Sequence, residues 1–242
     1  MQPPCFEPLE ILFEDAHLLA VVKPAGVLMQ GIPSGEPTLE DAVRARLDPN
    51  APASVYLGTV HRLDRPVSGV AVWAKTPKAA RRLSARFQAR DTVKEYWAVV
   101  ERTVAALDLE REGVWDDWLC RSTDHSGVVR PAATDTAGAR RAVTRFRVGT
   151  AVTPEGTAWL ELRPETGRTH QLRAQAALRD LPVRGDLAYG STRPFSPGIA
   201  LHARALTFEH PMLRQSMTIT AELPVSWALQ GIALSVRGER IL

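Results

Sequence analysis

The stretch His61-Arg62-Leu63-Asp64-Arg65-Pro66-Val67-Ser68-Gly69 places one carboxylate between two guanidinium groups. Positive charge on both sides favours the ionised form, so Asp64 is expected to be charged at neutral pH. A carboxylate held in that state can serve as a nucleophile, a general base or an electrostatic stabiliser. The same trio also fits an ordinary surface ion pair, and spacing alone does not choose between them. Two further groups of residues carry chemistry. Lys94-Glu95-Tyr96 puts a phenol in an apolar stretch, where it can stack on a base, move a proton or simply fill core. Gly167-Arg168-Thr169-His170-Gln171-Leu172-Arg173 puts an arginine just after a glycine turn.

These residues need elements to hold them. Val70-Ala71-Val72-Trp73-Ala74 is continuously apolar and reads as a buried strand, with Pro66 and Gly69 marking a loop before it. Asp64 therefore belongs to a loop anchored on a core strand, a common way of presenting reactive groups. Ile11 to Leu28 reads as two short strands around Glu14–His17, followed by a turn at Lys23-Pro24-Ala25-Gly26. Thr38 and Asp41 form a capping box for a helix through Leu47. A short strand is expected at Val55–Leu57. Thr76-Pro77 opens a second helix, with Ala79, Leu83 and Phe87 as its buried stripe. Arg81, Arg82, Arg86 and Arg90 fall on its other faces, where they can meet phosphates. Strands follow at Val93–Val100, Trp115–Leu119 (an edge), Ala142–Val148 and Trp159–Arg163. A helix is expected from about Thr169 to Arg179, then strands at Ala200–Phe208 and Met217–Leu223 and a last helix at Val225–Leu234.

Composition narrows the class. At 242 residues, 45% hydrophobic and 24% charged, the chain suits one large domain or two small ones with a real core. Cys5 and Cys120 are too few and too far apart for a disulfide framework or a zinc finger. Met1–Cys5 has neither a basic nor an apolar signal segment, and no apolar run is long enough to span a bilayer, so the cytoplasm is expected. Net charge is only +3, yet His61 to Arg102 holds ten Lys or Arg against four Asp or Glu. That local excess fits a phosphate-binding face as well as it fits a solvated helix.

The Asp64 stretch resembles the HRLD-x-x-(T/S)-S-G signature of the pseudouridine synthases, in their RluA-like branch. Further matches occur in the family's order. Ile11-Leu12-Phe13-Glu14-Asp15 with Val22-Lys23-Pro24-Ala25-Gly26 comes first, then Gly167–Arg173 with Gly185-Asp186-Leu187-Ala188-Tyr189-Gly190. Leu201-His202-Ala203 with Phe208-Glu209-His210-Pro211 completes the set. The resemblance implies an isomerase that converts uridine in RNA to pseudouridine, with Asp64 as nucleophile, Arg168 paired with it and Tyr96 opposite. It implies base flipping and a Lys23-Pro24 turn lining the cleft. The carboxylate would attack C1′ or C6 or assist at C2′; the residues do not choose.

Arg62 would fill the gap left in the RNA stack and Leu201 would close the pocket floor. His61, Arg65, Arg173, Arg86 and Arg90 complete the expected RNA-binding set, although His170 fits a structural role better than a contact. The implied fold is α+β, a mixed, largely antiparallel sheet with flanking helices and a central basic active-site cleft. One catalytic domain over 1–242 is expected, with an extended, proline-rich leader at 1–8 and no added RNA-binding module. The partner would be ribosomal or transfer RNA, with no membrane, a monomeric state, no cofactor and no metal.

Three positions depart from the family pattern. Val67 stands for the usual threonine, Gln30 for a histidine often found after K-P-x-G, and Gln175 for a histidine common after H-Q-x-R. They bear on substrate preference more than on reaction type. Two other readings compete. A non-catalytic RNA-binding module would not need the Asp64, Tyr96 and Arg168 set. A hydrolase built from His61, Asp64 and His170 lacks a nucleophile elbow, since Val67-Ser68-Gly69 is not G-x-S-x-G.

Overall fold

Apolar runs become strands, and capped amphipathic runs become short helices beside them. The computed structural model describes residues 8–31, 35–103, 111–122, 127–152, 157–236 and 239–241. The expected leader thus lies, apart from Pro8, outside the described residues. In chain order the elements are β1 (Ile11–Glu14), β2 (Leu18–Lys23), α1 (Leu39–Leu47), a 3-10 turn (Pro52–Ser54), β3 (Gly58–Thr59), β4 (Ser68–Ala74), α2 (Pro77–Ala89) and β5 (Val93–Thr103). Then come β6 (Glu112–Arg121), β7 (Val129–Pro131), β8 (Arg140–Val152), β9 (Thr157–Pro164), α3 (Gln171–Ala177) and a 3-10 turn (Leu187–Tyr189). The chain continues with β10 (Leu201–Glu209), β11 (Ser216–Thr220), α4 (Val225–Leu229), β12 (Ala233–Val236) and β13 (Glu239–Ile241). The protein is α+β, and its strands pair largely antiparallel.

The chain divides into two compact units, Met1–Val93 with Ala203–Glu222, and Lys94–His202 with Leu223–Leu242. In the first, the strands run β1-β2-β4-β10, with β3 on β4 and β11 on β10. Every residue of β4 is buried. Leu18, Val70, Val72, Leu83, Leu206, Phe208 and Ile219 make the core, so α2 packs its Ala79–Leu83 stripe on the sheet as its periodicity requires. His210 is 2% exposed. Its Nδ1 accepts from the Met212 and Leu213 N–H groups, and its Nε2 lies 3.0 Å from Asp15 Oδ2. The motifs at the two ends of this unit's chain are thereby joined.

In the second unit the strands run β5-β9-β8-β12-β13, with β6 on β8 and β7 on β6. Gly149 faces Trp159 across β8 and β9. A Cβ there would lie 2.2 Å from the indole, so only glycine admits the ring.

Several boundaries differ from expectation, each for a local reason. Val55–Leu57 is not a strand: Pro52 starts a 3-10 turn, and the Val55 carbonyl accepts from the Arg44 guanidinium. The strand begins at Gly58, where a Cβ would come within 2.6 Å of Ala80 on α2. β6 pairs with β8 along Glu112–Leu119 and is an edge there except at its end, where Leu119–Arg121 also pair with β7. α3 starts two residues late because His170 adopts a left-handed φ of 50°. α4 stops at Leu229 and Leu234 lies in β12. Gly231, at φ 74°, closes the helix by a Schellman pair, Ile232 N–H to Trp227 C=O and Gly231 N–H to Ala228 C=O.

Candidate active site

The loop that carries Asp64 is pegged on both sides. Leu63 and Val67 are buried at 6% and 3% exposure while Asp64 between them is half-buried. The Asp64 carbonyl accepts from Val67 N–H at 3.0 Å, closing a tight turn. Val67, in place of the usual threonine, is buried, and its backbone still serves the loop. Gly69 sits at φ 119°, and a Cβ would lie 2.3 Å from the Ala203 carbonyl of β10. The glycine of the signature is therefore demanded by close backbone approach.

Lys23 is the hub beneath this loop. It is fully buried. Its ammonium donates to the carbonyls of Pro24 (2.9 Å), Arg65 (2.9 Å) and Val67 (2.7 Å), which uses all three hydrogens. Burial pushes Lys23 down to about 7; the Asp64 carboxylate pulls it up and the Arg65 guanidinium pushes it down. The Gly26 N–H also donates to Arg65 C=O (2.8 Å), and Arg65 Nε donates to Gly26 C=O (3.0 Å). The turn after β2 and the Asp64 loop are thus one clamp. The family resemblance implies only a cleft-lining role for Lys23; an apolar strand ending in Lys-Pro is the signal that the lysine itself is interior.

The expected RNA contacts divide. Arg62 is exposed and makes no ion pair or hydrogen bond among the described residues. Arg90 is exposed at the C-cap of α2 with a left-handed φ of 61°. Arg65 is exposed and pairs with Glu36 at 3.0 Å. Arg86 is occupied by Asp91 and Glu209, and Arg82 donates to the Pro211 carbonyl at 2.9 Å. His61 is also committed: its Nε2 accepts from Val72 N–H at 3.0 Å and its ring stacks on Phe87. A nitrogen lone pair used that way is not available as a hydrolytic base.

In the second unit, Tyr96 is half-buried on β5, opposite Leu162 of β9. Lys94 shares its strand face, and Lys94 Nζ reaches the Thr166 carbonyl at 3.4 Å. That places the Lys-x-Tyr face of β5 beside the turn that carries Arg168. Gln171 holds the turn closed. Its Oε1 accepts from Arg168 N–H (3.0 Å) and Thr166 Oγ1 (2.7 Å), and its Nε2 donates to Val143 C=O and Thr144 Oγ1. Arg168 Nε donates to the Arg141 carbonyl at 3.0 Å, which fixes the plane of its guanidinium.

Arg173 corrects an expectation. It is not presented to RNA: its side chain is 7% exposed and forms a bidentate pair with Asp186 at 2.6 and 2.8 Å, because α3 turns that face inward. Its guanidinium also lies 4.9 Å over the Tyr189 ring. Gln175 is fully buried and bonds Thr144, Ala142 and Asp117, so this departure from the family pattern is a packing choice. Leu201 is buried at 2% exposure at the start of β10. Asp116 and Asp117, adjacent carboxylates, are taken by Arg141 and Arg179.

Residues 17–178 match the family described as RNA pseudouridylate synthase. The chain is 32% identical to the dual-specificity RNA pseudouridine synthase RluA of Haemophilus influenzae, over 91% of this chain and 95% of that one. It is 36% identical to the ribosomal large subunit pseudouridine synthase D of Xanthomonas campestris, over 90% of this chain, and spans 66% of that relative's length. Human RNA pseudouridylate synthase domain containing 1 shares its fold, with a TM-score of 0.75 at 24% identity over 98% of this chain and 94% of that one. The chain belongs to the RNA pseudouridylate synthase family, a family of RNA-uridine isomerases, within its RluA-like branch.

Proposed function

We propose that this chain converts uridine to pseudouridine in structured ribosomal or transfer RNA, with Asp64 as the nucleophile. The observation that carries the assignment is the clamp: a half-buried carboxylate on a loop fixed by a buried ammonium, two apolar pegs and a glycine crossing. Such rigidity suits a reacting group that must meet one atom of a bound base. The ribosomal target of one relative supports ribosomal RNA as a substrate.

The reaction is an isomerisation. The N1–C1′ bond breaks, the base turns, a C5–C1′ bond forms, and the C5 proton leaves as N1 gains one. No redox partner or group donor enters. The target base leaves the RNA stack to reach the site, and Arg62, exposed next to the nucleophile, takes its place. Tyr96 stacks on the extruded base and helps remove the C5 proton. Arg168, held by Gln171 and Arg141, orients the carboxylate. Among the described residues, no helix is long and apolar enough to cross a membrane. A monomer in the cytoplasm completes the proposal.

RNA tritiated at uridine C5 tests it. Wild-type protein should release tritium to water. Asp64→Asn should release none while binding RNA with nearly unchanged affinity. Full release by Asp64→Asn would remove the nucleophile from the scheme, and no release by the wild type on any cellular RNA would remove the activity.

A further inference from the structure

His170 stands two residues after Arg168 in a conformation that its side chain does not favour. Its φ of 50° and ψ of 22° are left-handed, where a non-glycine residue costs about 1 kcal/mol. No side-chain cap holds the α3 N-terminus in that position. What the ring does have is Tyr189: His170 Nδ1 lies 3.0 Å from the Tyr189 hydroxyl, and the two rings meet edge to face with centroids 5.8 Å apart. The hydroxyl is itself placed from the other side, because Val129 N–H of β7 donates to it at 2.8 Å. The hydroxyl either donates to Nδ1 or accepts from it, according to the imidazole tautomer, and the bond forms in both cases. The Tyr189 ring is fixed in turn by Arg173, whose guanidinium covers it and is tied to Asp186.

We propose that the Tyr189–His170 hydrogen bond is a latch that holds the 167–171 turn in its strained form and so sets the direction of Arg168. Both are positioning residues. The latch rests on the reading of Arg168 as the partner of the nucleophile. It also gives the Gly185–Gly190 motif a task in the reaction: Asp186 and Tyr189 brace the turn from below. Gln171 fixes the backbone of the turn from the β8 side, and the latch fixes it from the β7 side. An arginine at the apex is then restrained on two sides.

The test compares three variants in single-turnover assays at saturating RNA. Tyr189→Phe removes the hydroxyl. His170→Gly accepts the left-handed φ without strain but has no ring to latch. His170→Asn tolerates the same φ and offers an amide oxygen where Nδ1 was. The latch predicts that Tyr189→Phe and His170→Gly lose about tenfold in rate with RNA affinity within twofold of wild type, and that His170→Asn recovers most of the loss. His170→Gly relieves the strain but gives up the hydrogen bond and the ring contact, so rates are compared well below each variant's melting temperature, where a slow rate is not a folding defect. Combining Tyr189→Phe with Arg168→Lys should be no slower than Arg168→Lys alone, because both act on one guanidinium. Wild-type rates in Tyr189→Phe and His170→Gly, or equal rates in His170→Asn and His170→Gly, would overturn the latch. If Arg168→Lys alone keeps the full rate, the role of Arg168 falls, and the latch with it. If Arg168→Lys is slow while the latch variants are not, only the latch falls.

Discussion

Lys23 Nζ and the carbonyl oxygen of Val67 lie 2.7 Å apart, joining the first hairpin to the loop that carries Asp64. With Pro24 and Arg65 they make a buried ammonium surrounded by three carbonyls. Replacing Lys23 by Met keeps the volume and removes all three donors. Each buried carbonyl left without a partner costs about 1 kcal/mol or more. The Arg65 carbonyl keeps the Gly26 N–H, so Lys23→Met strands the Pro24 and Val67 carbonyls and should lower unfolding free energy by about 2 kcal/mol, read by urea denaturation. A loss within the error of the measurement would show that the carbonyls find other donors.

The same lysine gives a pH dependence. Burial holds its folded value near 7, against an ordinary 10.5. Between those values the unfolded chain keeps a proton that the folded chain has released. This group's contribution to stability therefore rises with pH across the window, by at most about 1.4 kcal/mol per pH unit. Activity should move the other way. Once Lys23 is neutral it has only two hydrogens for three carbonyls, and the Asp64 loop loosens. Single-turnover rates should fall above about pH 7. Lys23→Met should show a lower rate with that inflection gone; an unchanged inflection in the variant would assign it to another group.

Gly69 offers a sharper test of the same loop. Its φ of 119° is foreign to side chains, and a Cβ would meet the Ala203 backbone at 2.3 Å. Neither contact can yield cheaply, because both strands are interior. Gly69→Ala should cost about 3 kcal/mol or more and lower the yield of soluble protein. A melting temperature equal to wild type would mean that β4 and β10 can separate locally.

Much of this is legible in the sequence. The Thr38–Asp41 capping box, the Thr76-Pro77 start and the buried β4 run are local signals, and each forms as read. The partners of the motif residues were not legible, because they depend on which chain segments meet. His61 looks like a substrate contact until Val72 and Phe87 are found on it. Arg173 looks like a phosphate contact until Asp186, thirteen residues on, is found to enclose it. Helix ends set by left-handed residues other than glycine, His170 and Arg90, carry no composition signal. Gln171 reads as one polar residue in a motif, yet it fixes the arginine turn through four hydrogen bonds.

The burial of Arg173 separates stability from binding. Removing one partner of a buried, bidentate pair leaves a charge without compensation and costs about 3–5 kcal/mol. Arg173→Ala should therefore unfold far more easily than wild type. Asp186→Asn should share the defect in part, since it keeps the shape and loses the charge. If Arg173→Ala were as stable as wild type, the pair with Asp186 would be dispensable.

Arg86 and Arg90 share the last turn of α2, and their environments predict different effects on RNA binding. Arg86 already faces two carboxylates, Asp91 and Glu209, so its charge is largely compensated before RNA arrives. Arg90 is exposed at the helix end, and its guanidinium carries no ion pair among the described residues. A phosphate contact releases counterions, and losing one contact reduces the slope of log affinity against log salt by about 0.7 to 0.9. Arg90→Ala should reduce the slope by that amount. Arg86→Ala should change it less, because the freed Asp91 and Glu209 alter the local field only weakly at moderate ionic strength. Titrating both variants from low to moderate salt checks the order. A larger change for Arg86→Ala than for Arg90→Ala would mean that RNA displaces the two carboxylates and that Arg86 is the phosphate contact.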